Sequence, residues 1–300
     1  MEQGVIIALA QRDGHLAATV TGRSALPVER LILGRPVAEA AETLPRLFNL
    51  CRAAQEAAAR LALELPPLET TPETLRGEIL REHLRRLLFA WPRRLDLPAR
   101  PLPRKGDEAV ALFGPSGRCP ATPDDFAAWR AEGQGTAPLL SAIAEAFAPG
   151  EAGTDLPATT PETAFAGSPQ ENATAGRHPG QPLLTALAAS HGKGPLWRAA
   201  ARLVDAEACL TGPLPAPRRL ADGTAVTPAA RGLYAIRAQA ENGRVTHFQR
   251  VTPTDHLLAP GGALQASLAS LPAAKAHLAP LVVDILDPCL PYELREVADA

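Results

Sequence analysis

Lysine is almost missing from this chain: Lys105, Lys193 and Lys275 are the only three among 30 basic residues, set against 32 acidic ones for a formal net charge of −2. With neither sign in excess, no strong field draws nucleic acid or an anionic membrane, so both partner classes are set aside. Long apolar runs are missing too. Gln11, Arg12 and Asp13 interrupt the first of them, and no segment approaches the roughly 18 consecutive apolar residues of a membrane helix. The opening MEQGVIIALAQRDGHLAATV lacks the basic-then-apolar order of a signal peptide, so a cytoplasmic protein is expected. Cysteine is scarce: Cys51, Cys119, Cys209 and Cys289 lie far apart with no CxxC pair, which excludes a disulfide framework and a zinc ribbon. A phosphate-cradling glycine loop, a GxSxG elbow and an HExxH pair are all absent.

What is present is apolar content of 46% over 300 residues, enough for one large core or two modest ones. Val5 to Leu9 and His15 to Val20 flank Arg12-Asp13-Gly14 and predict a β-hairpin. From Arg46 onward Leu47, Leu50, Cys51, Ala54, Ala58 and Leu61 recur near helical spacing, which puts Cys51 on an apolar stripe where a small core residue is the ordinary reading. Thr71-Pro72 opens a helix over LRGEILREHLRRLLFAW with an Arg-rich outer face that reads as solvated. Residues 92 to 122 read as loop with a short strand near Ala109 to Phe113, Thr122-Pro123-Asp124 opens a further helix with Asp124 and Asp125 serving its dipole, and Ala137 to Phe147 forms another.

The stretch 148 to 182 is rich in Pro, Gly, Thr and Ala and reads as a flexible connector, its Asn172-Ala173-Thr174 sequon a chance match. Helical periodicity resumes over LLTALAASHGKGPLWRAAARLVDAEACL with a break at Gly192-Lys193-Gly194 and Cys209 in the core. GLYAIRAQA and RVTHFQRV then alternate at period two around Glu241-Asn242-Gly243, a second hairpin. The expected class is α+β: a central helical bundle with small antiparallel sheets from the N- and C-terminal hairpins, then a helical tail. His83 and His191 fall on helices, where capping or surface roles are the ordinary reading.

Four collinear stretches carry more. They are QRDGHLAATV (11–20), GRPVAEAAETLPRLFNLCRAAQEAAARLA (34–62), PAARGLYAIRAQAENGRVTHFQRVTPTDHLLAPGG (228–262) and the closing DILDPCLPYEL. Together the chain resembles the large subunit of nickel–iron hydrogenases, in which an RIEGH-type hairpin, an RxCGxCxxxH helix, an EAPRG stretch leading to VxPT and a terminal DPCxxCxxH follow in this order. ETAFAG (162–167) and GPLWRAAARLVDAEACL (194–210) fall where that family has ExGxxAR and an Ala/Arg-rich helix. The resemblance implies one shortened large-subunit-like domain over residues 1 to 300.

The departures imply a different role. Arg46 and Cys51 keep the first motif's Arg and second Cys, but Phe48, Asn49 and Gln55 stand for its first Cys, Gly and His. Cys289 keeps the first Cys of the last motif, while Tyr292 and Arg295 replace the second Cys and the His. Two thiolates of four are too few for the sulfur-rich nickel site, so neither nickel nor hydrogenase activity is expected. The pattern resembles hydrogenase accessory proteins of the HupK/HoxV type. That likeness implies a scaffold holding an Fe(CN)2CO group transiently between Cys51 and Cys289, with Arg231, Pro253 and Thr254 facing its cyanides as the family's Arg and Pro-Thr do. The implied partners are a hydrogenase large-subunit precursor and iron-delivery maturation proteins. Pro228 replaces the family's Glu before that Arg, and Asp13 stands for the acidic residue of RIEGH. Three alternatives stay open: a metal-free assembly chaperone or structural paralogue with vestigial cysteines, a structural subunit of a respiratory complex, and a cysteine nucleophile with His256 as base, which has no supporting spacing.

Overall fold

A computed structural model describes residues 4–22, 27–48, 50–212 and 214–296. The strands β1 (Val5–Arg12) and β2 (His15–Thr21) form the first hairpin because Val5, Ile7 and Leu9 alternate onto one buried face. Asp13 and Gly14 between them take φ of 51° and 79°, the two-residue turn whose twist matches the strands it joins. Short helices α1 (Val28–Ile32) and α2 (Val37–Thr43) lead to α3 (Arg52–Ala62). Next, α4 (Thr71–Leu84) passes through a π-helical turn, Arg85–Ala90, into α5 (Trp91–Arg94). Four helices follow the course of the middle of the chain: α6 (Glu108–Phe113), α7 (Pro123–Glu132), α8 (Ala137–Ala146) and α9 (Pro182–His191). The long α10 (Pro195–Thr211) runs through the middle, with thirteen of its seventeen residues buried.

A second sheet, all antiparallel in the order β3-β4-β5-β6, consists of β3 (Arg218–Arg219), β4 (Ala225–Ala229), β5 (Gly232–Glu241) and β6 (Arg244–Val251). Its main hairpin turns at Asn242-Gly243, again both at positive φ. After α11 (Pro253–Leu257), α12 (Ala263–Ala269) and α13 (Ala279–Leu286), the chain ends its described course in β7 (Tyr292–Glu296). The fold class is α+β, with helices between and around two small sheets.

Among the described residues two large apolar cores form, beside two small clusters. One joins the first sheet to the central helices through Ile7, Trp91, Leu140, Leu203, Leu264 and Val283. The other packs α1 to α3 on the second sheet through Ile32, Leu44, Ala58, Ile236 and Phe248. At about 25 cal/mol per Å2 of apolar surface, each fully buried Leu, Ile or Phe contributes about 1.5–3 kcal/mol.

Several local expectations fail, each for a physical reason. Residues 108 to 113 are helical, not a strand, because Leu112 and Phe113 turn inward while Val110 stays out; a five-residue apolar run has no period that separates the two forms. The tail is not wholly helical: β7 adds to β1 in parallel, Val5 opposite Tyr292 through Leu9 opposite Glu296, so the first sheet is mixed, not an antiparallel hairpin alone. Pairing between chain ends leaves no local signal. The stretch 148 to 182, poor in regular structure, is nevertheless packed against the body. Ala152, Thr154, Thr159, Ala164, Gln170, Glu171, Thr174 and Ala175 are all buried there.

Candidate functional site

The two cysteines singled out at opposite ends of the sequence meet. Cys51 does not lie on the stripe of a helix. It is the residue before α3, held in the left-handed region at φ 56°, ψ 35°. Such a conformation costs a residue with a side chain on the order of 1 kcal/mol or more. Its surroundings compensate: the Glu78 carboxylate on α4 accepts the Ala53 N–H at 3.0 Å at the open N-terminus of α3. Gln55, standing where the resembling motif has a His, donates from Nε2 to the Leu50 carbonyl at 3.0 Å and clips the same turn. Asn49 lies outside the described residues. Arg46 is a surface residue paired with Glu42, and the Phe48 ring lies 4.5 Å under the Arg250 guanidinium.

Cys289 arrives from the other side. The helix α13 stops at Asp287, also left-handed at φ 59°, and Pro288 then redirects the chain. The hydroxyl of Thr254, in the first turn of α11, accepts the Cys289 backbone N–H at 3.0 Å. Pro253 can open α11 because that position needs no N–H, and Thr252 with Asp255 closes a capping box around it. The thiols of Cys51 and Cys289 are near enough to perturb each other, and both residues remain partly open to solvent. Cys51 is reached from an open groove between α3 and α4, lined also by Arg52, Glu78, Arg81 and Arg85.

Arg231 sits beside the pair, 5% exposed. Its Nη1 points to the Cys51 sulfur at 4.0 Å, its Nε donates to the Asp287 carbonyl at 2.9 Å, and its Nη2 donates to the Asp287 carboxylate at 3.1 Å and to Glu82 at 3.4 Å. One guanidinium N–H therefore faces sulfur while the rest of the fork is fixed. The next residue must be small: a Cβ on Gly232 would lie 2.2 Å from the Asn172 side-chain oxygen, which accepts the Leu233 N–H. Asp287 gathers three cations, Arg86 at 2.5 Å, Arg202 at 2.8 Å and Arg231 at 3.0 Å. Burial alone would raise its carboxyl, but the three guanidiniums outweigh burial and hold it below the usual range.

This arrangement polarises the thiol pair. The hydrogen bond received from Cys51 brings Cys289 down to about 7, against the pull of burial, with Arg231 and Thr254 assisting. Cys51, as donor and as the buried member next to that developing charge, is raised. Of the two, Cys289 is thus the thiol that gives up its proton more readily. Cys119 and Cys209 differ: both are buried, Cys209 in a small cluster with Ile79 and Ala230 against which Cys51 packs, and burial pushes their thiols up, Cys209 to about 12.

The remaining motif positions serve structure. Tyr292 begins β7, and its hydroxyl bonds Asp284 at 2.5 Å, while Arg295 pairs with Glu293 on the surface. Asp13 is in the exposed hairpin turn, its side chain 94% accessible and paired with neighbouring Arg12 at 3.8 Å. Pro228 is buried in β4. His256 has both ring nitrogens engaged, Nδ1 accepting from Asn172 at 2.9 Å and Nε2 donating to the Ala164 carbonyl at 3.0 Å, so it has no free nitrogen with which to act as a base for cysteine.

A buried ionic network behind the site escaped the sequence reading. His83 is neither cap nor surface residue. It is wholly buried, donating from Nε2 to Asp205 at 2.6 Å, and burial lowers its affinity for a proton. Asp205 also accepts from His178 at 2.7 Å and from Arg177, and Arg198 forks onto Glu171 through two bonds of 2.6 Å. Arg86, from the helix face read as solvated, turns inward to Asp287. The signal existed: Arg198, Arg202 and Asp205 follow i, i+4, i+7 on a helix otherwise made of Ala, Leu, Val and Trp.

Among the described residues no cluster of three or more His, Cys, Asp and Glu side chains could hold a metal ion, and no helix is long and apolar enough to cross a membrane. No family model matches the chain. Relatives do: the chain is 49% identical over 300 residues, all of both proteins, to the hydrogenase expression/formation protein HupK of Rhodobacter capsulatus. It is 30% identical to the protein of that name from Azotobacter vinelandii, over 95% of this chain and 96% of that one. In structure it is similar to the reduced nickel–iron–selenium hydrogenase of Desulfomicrobium baculatum, at TM-score 0.62 and 13% identity over 94% and 95% of the two chains. The enzyme from D. vulgaris Hildenborough gives 0.57 and 14% over 93% and 94%. Identities that low show a shared fold alone. The chain belongs to the HupK family of hydrogenase expression/formation proteins, built on the fold of the nickel–iron hydrogenase large subunit.

Proposed function

We propose that this protein is a non-catalytic scaffold of hydrogenase maturation that takes an Fe(CN)2CO group as cargo between Cys51 and Cys289 and yields it to a large-subunit precursor. The meeting of the two thiols beside Arg231 and Thr254 carries this reading. An iron that brings three diatomic ligands of its own asks two donors of the protein, and two are offered. The polarised pair suits loading: Cys289 is the thiol that gives up its proton more readily, and thiolate binding of a metal drives off the remaining thiol protons. The Arg231 Nη1 beside the sulfurs suits an anionic cyanide nitrogen as acceptor. Nickel would need more soft donors than these two.

Access and release follow from position. The groove between α3 and α4 opens the Cys51 side to solvent, so a maturation protein can deliver cargo there without unfolding the scaffold. A site of two thiolates yields by ligand exchange to an acceptor with four, and Tyr292 and Arg295, tied up in β7, leave no competing donor in the closing motif.

The test is maturation in cells. Replacing Cys51→Ser or Cys289→Ser in the otherwise intact protein is expected to abolish formation of active hydrogenase while leaving the scaffold's melting temperature within a few degrees of wild type. Undiminished hydrogenase in both variants would instead support a metal-free assembly chaperone.

A further inference from the structure

Arg231 stands in the connection from β4 to β5, which Ala230 and Arg231 make alone, with Ala229 paired to Gly232 at its base. The two other hairpins turn at Asp13-Gly14 and Asn242-Gly243, whose positive φ matches the twist of their strands, whereas Ala230 and Arg231 are not among the described residues with positive φ. So short a turn without left-handed residues depends on what holds it from outside. We propose that Asn172 and Arg177, from the stretch that reads in sequence as a flexible connector, are positioning residues that clamp this turn and thereby fix the Arg231 guanidinium beside Cys51.

The bonds are specific. Arg177 Nη1 donates to the Ala229 carbonyl at 2.7 Å and to the Gly232 carbonyl at 2.8 Å, the two residues that flank the turn. Asn172 holds the next residue through both ends of its amide: Oδ1 accepts the Leu233 N–H at 2.7 Å, and Nδ2 donates to the Leu233 carbonyl at 2.9 Å. Arg177 is itself anchored, its Nε donating to Asp205 at 2.9 Å and its Nη2 to the other oxygen of that carboxylate. Asp205 is fully buried on the central helix α10 and is held also by His83 and His178. A continuous path therefore runs from α10 through Arg177 to the turn, and from the turn through Arg231 to the Cys51 sulfur at 4.0 Å. The path needs arginine at 177, because one edge of the planar fork grips the carboxylate while the remaining nitrogen reaches both carbonyls; a lysine ammonium cannot do both. The clamp belongs to the bare protein. That it serves the cyanides of a cargo rests on the iron-carrier reading.

The test reads the charge beside Cys51 without iron. The full chain is purified reduced and metal-free, then treated at low ionic strength with iodoacetamide, which is neutral, and in parallel with iodoacetate, an anion; peptide mass spectrometry follows alkylation of Cys51. With either reagent the thiolate sulfur displaces iodide, so the thiolate fraction cancels in the ratio of the two rates and the ratio reports the local positive charge. Arg231→Gln should lower the iodoacetate-to-iodoacetamide ratio by about threefold, the Coulombic effect of one charge several ångströms away in water-like surroundings. Arg177→Lys and Asn172→Ala should each lower it in the same direction, and neither should lower it further once Arg231→Gln is present. A merely structural role would move the melting temperature without this dependence on Arg231. Asn172→Ala removes no charge, and it decides alone if Arg177→Lys does not fold. An unchanged ratio in Arg231→Gln, an unchanged ratio in either folded clamp variant, or an equal fall in the Arg231→Gln background would each overturn the inference. Since no iron is present at any stage, these outcomes leave the carrier reading untouched.

Discussion

Replacing Asp287→Asn keeps the shape at the end of α13, and Asn tolerates the left-handed backbone there, but it removes the one charge that gathers Arg86, Arg202 and Arg231. The carboxylate is 1% exposed, and the side chains of Arg202 and Arg231 are 5% and 3% exposed, so solvent cannot replace it for either. Breaking a buried pair by removing one partner costs about 3–5 kcal/mol. At roughly 2 °C per kcal/mol for a chain of this size, the melting temperature should fall by roughly 6–10 °C. Thermal unfolding followed by far-ultraviolet circular dichroism at neutral pH measures it. The pH dependence gives a second arm. The folded carboxyl is depressed, so its contribution is complete above the unfolded value of about 3.9 and is lost as pH falls through the lower folded value. The gap between wild type and variant should therefore hold down to about pH 4 and narrow below it. A third readout is chemical: Asp287 opposes the thiolate of Cys289, so the variant should be alkylated there faster at mildly acid pH. A melting temperature within about 2 °C of wild type, less than about 1 kcal/mol, would refute the assignment of this carboxylate as the centre of the buried network.

Two other expectations follow from the same structure. His83 and His256 are held neutral by burial; their folded proton affinities lie below the unfolded value of about 6.5, so their contribution is complete above that pH and is lost as pH falls beneath it. Denaturant midpoints should hold steady from pH 8 to about 6.5 and drop toward pH 5, and a flat profile would contradict the buried placement. Gly232→Ala should cost about 1–3 kcal/mol, since its Cβ would meet Asn172 at 2.2 Å; an unchanged melting temperature would show that this contact yields freely.

The parts legible in the sequence were those set by local periodicity and turn chemistry. Both hairpins declare themselves through alternating apolar residues around Asp13-Gly14 and Asn242-Gly243, and the helix at Thr122-Pro123-Asp124 through its capping box. The parallel β1–β7 pairing joins the two ends of the chain and has no local trace. The backbone at Cys51 was misread because apolar spacing runs smoothly through Leu47, Cys51 and Ala54, while the left-handed break depends on Glu78, a residue on another helix. At the candidate site, Cys51, Cys289, Arg231 and Thr254 came from collinear order with a known family. Glu82, Arg86, Arg202 and Asp287 did not, because charged residues facing inward look like a solvated face until their partners are in place.

The central claim, iron held between Cys51 and Cys289, is tested most directly by infrared spectroscopy of the protein purified without oxygen from cells making hydrogenase. Carbonyl and cyanide stretching bands are expected in the wild type and are expected to vanish in Cys51→Ser and in Cys289→Ser. Preparations of folded wild type without such bands, or bands that persist in both variants, would contradict it.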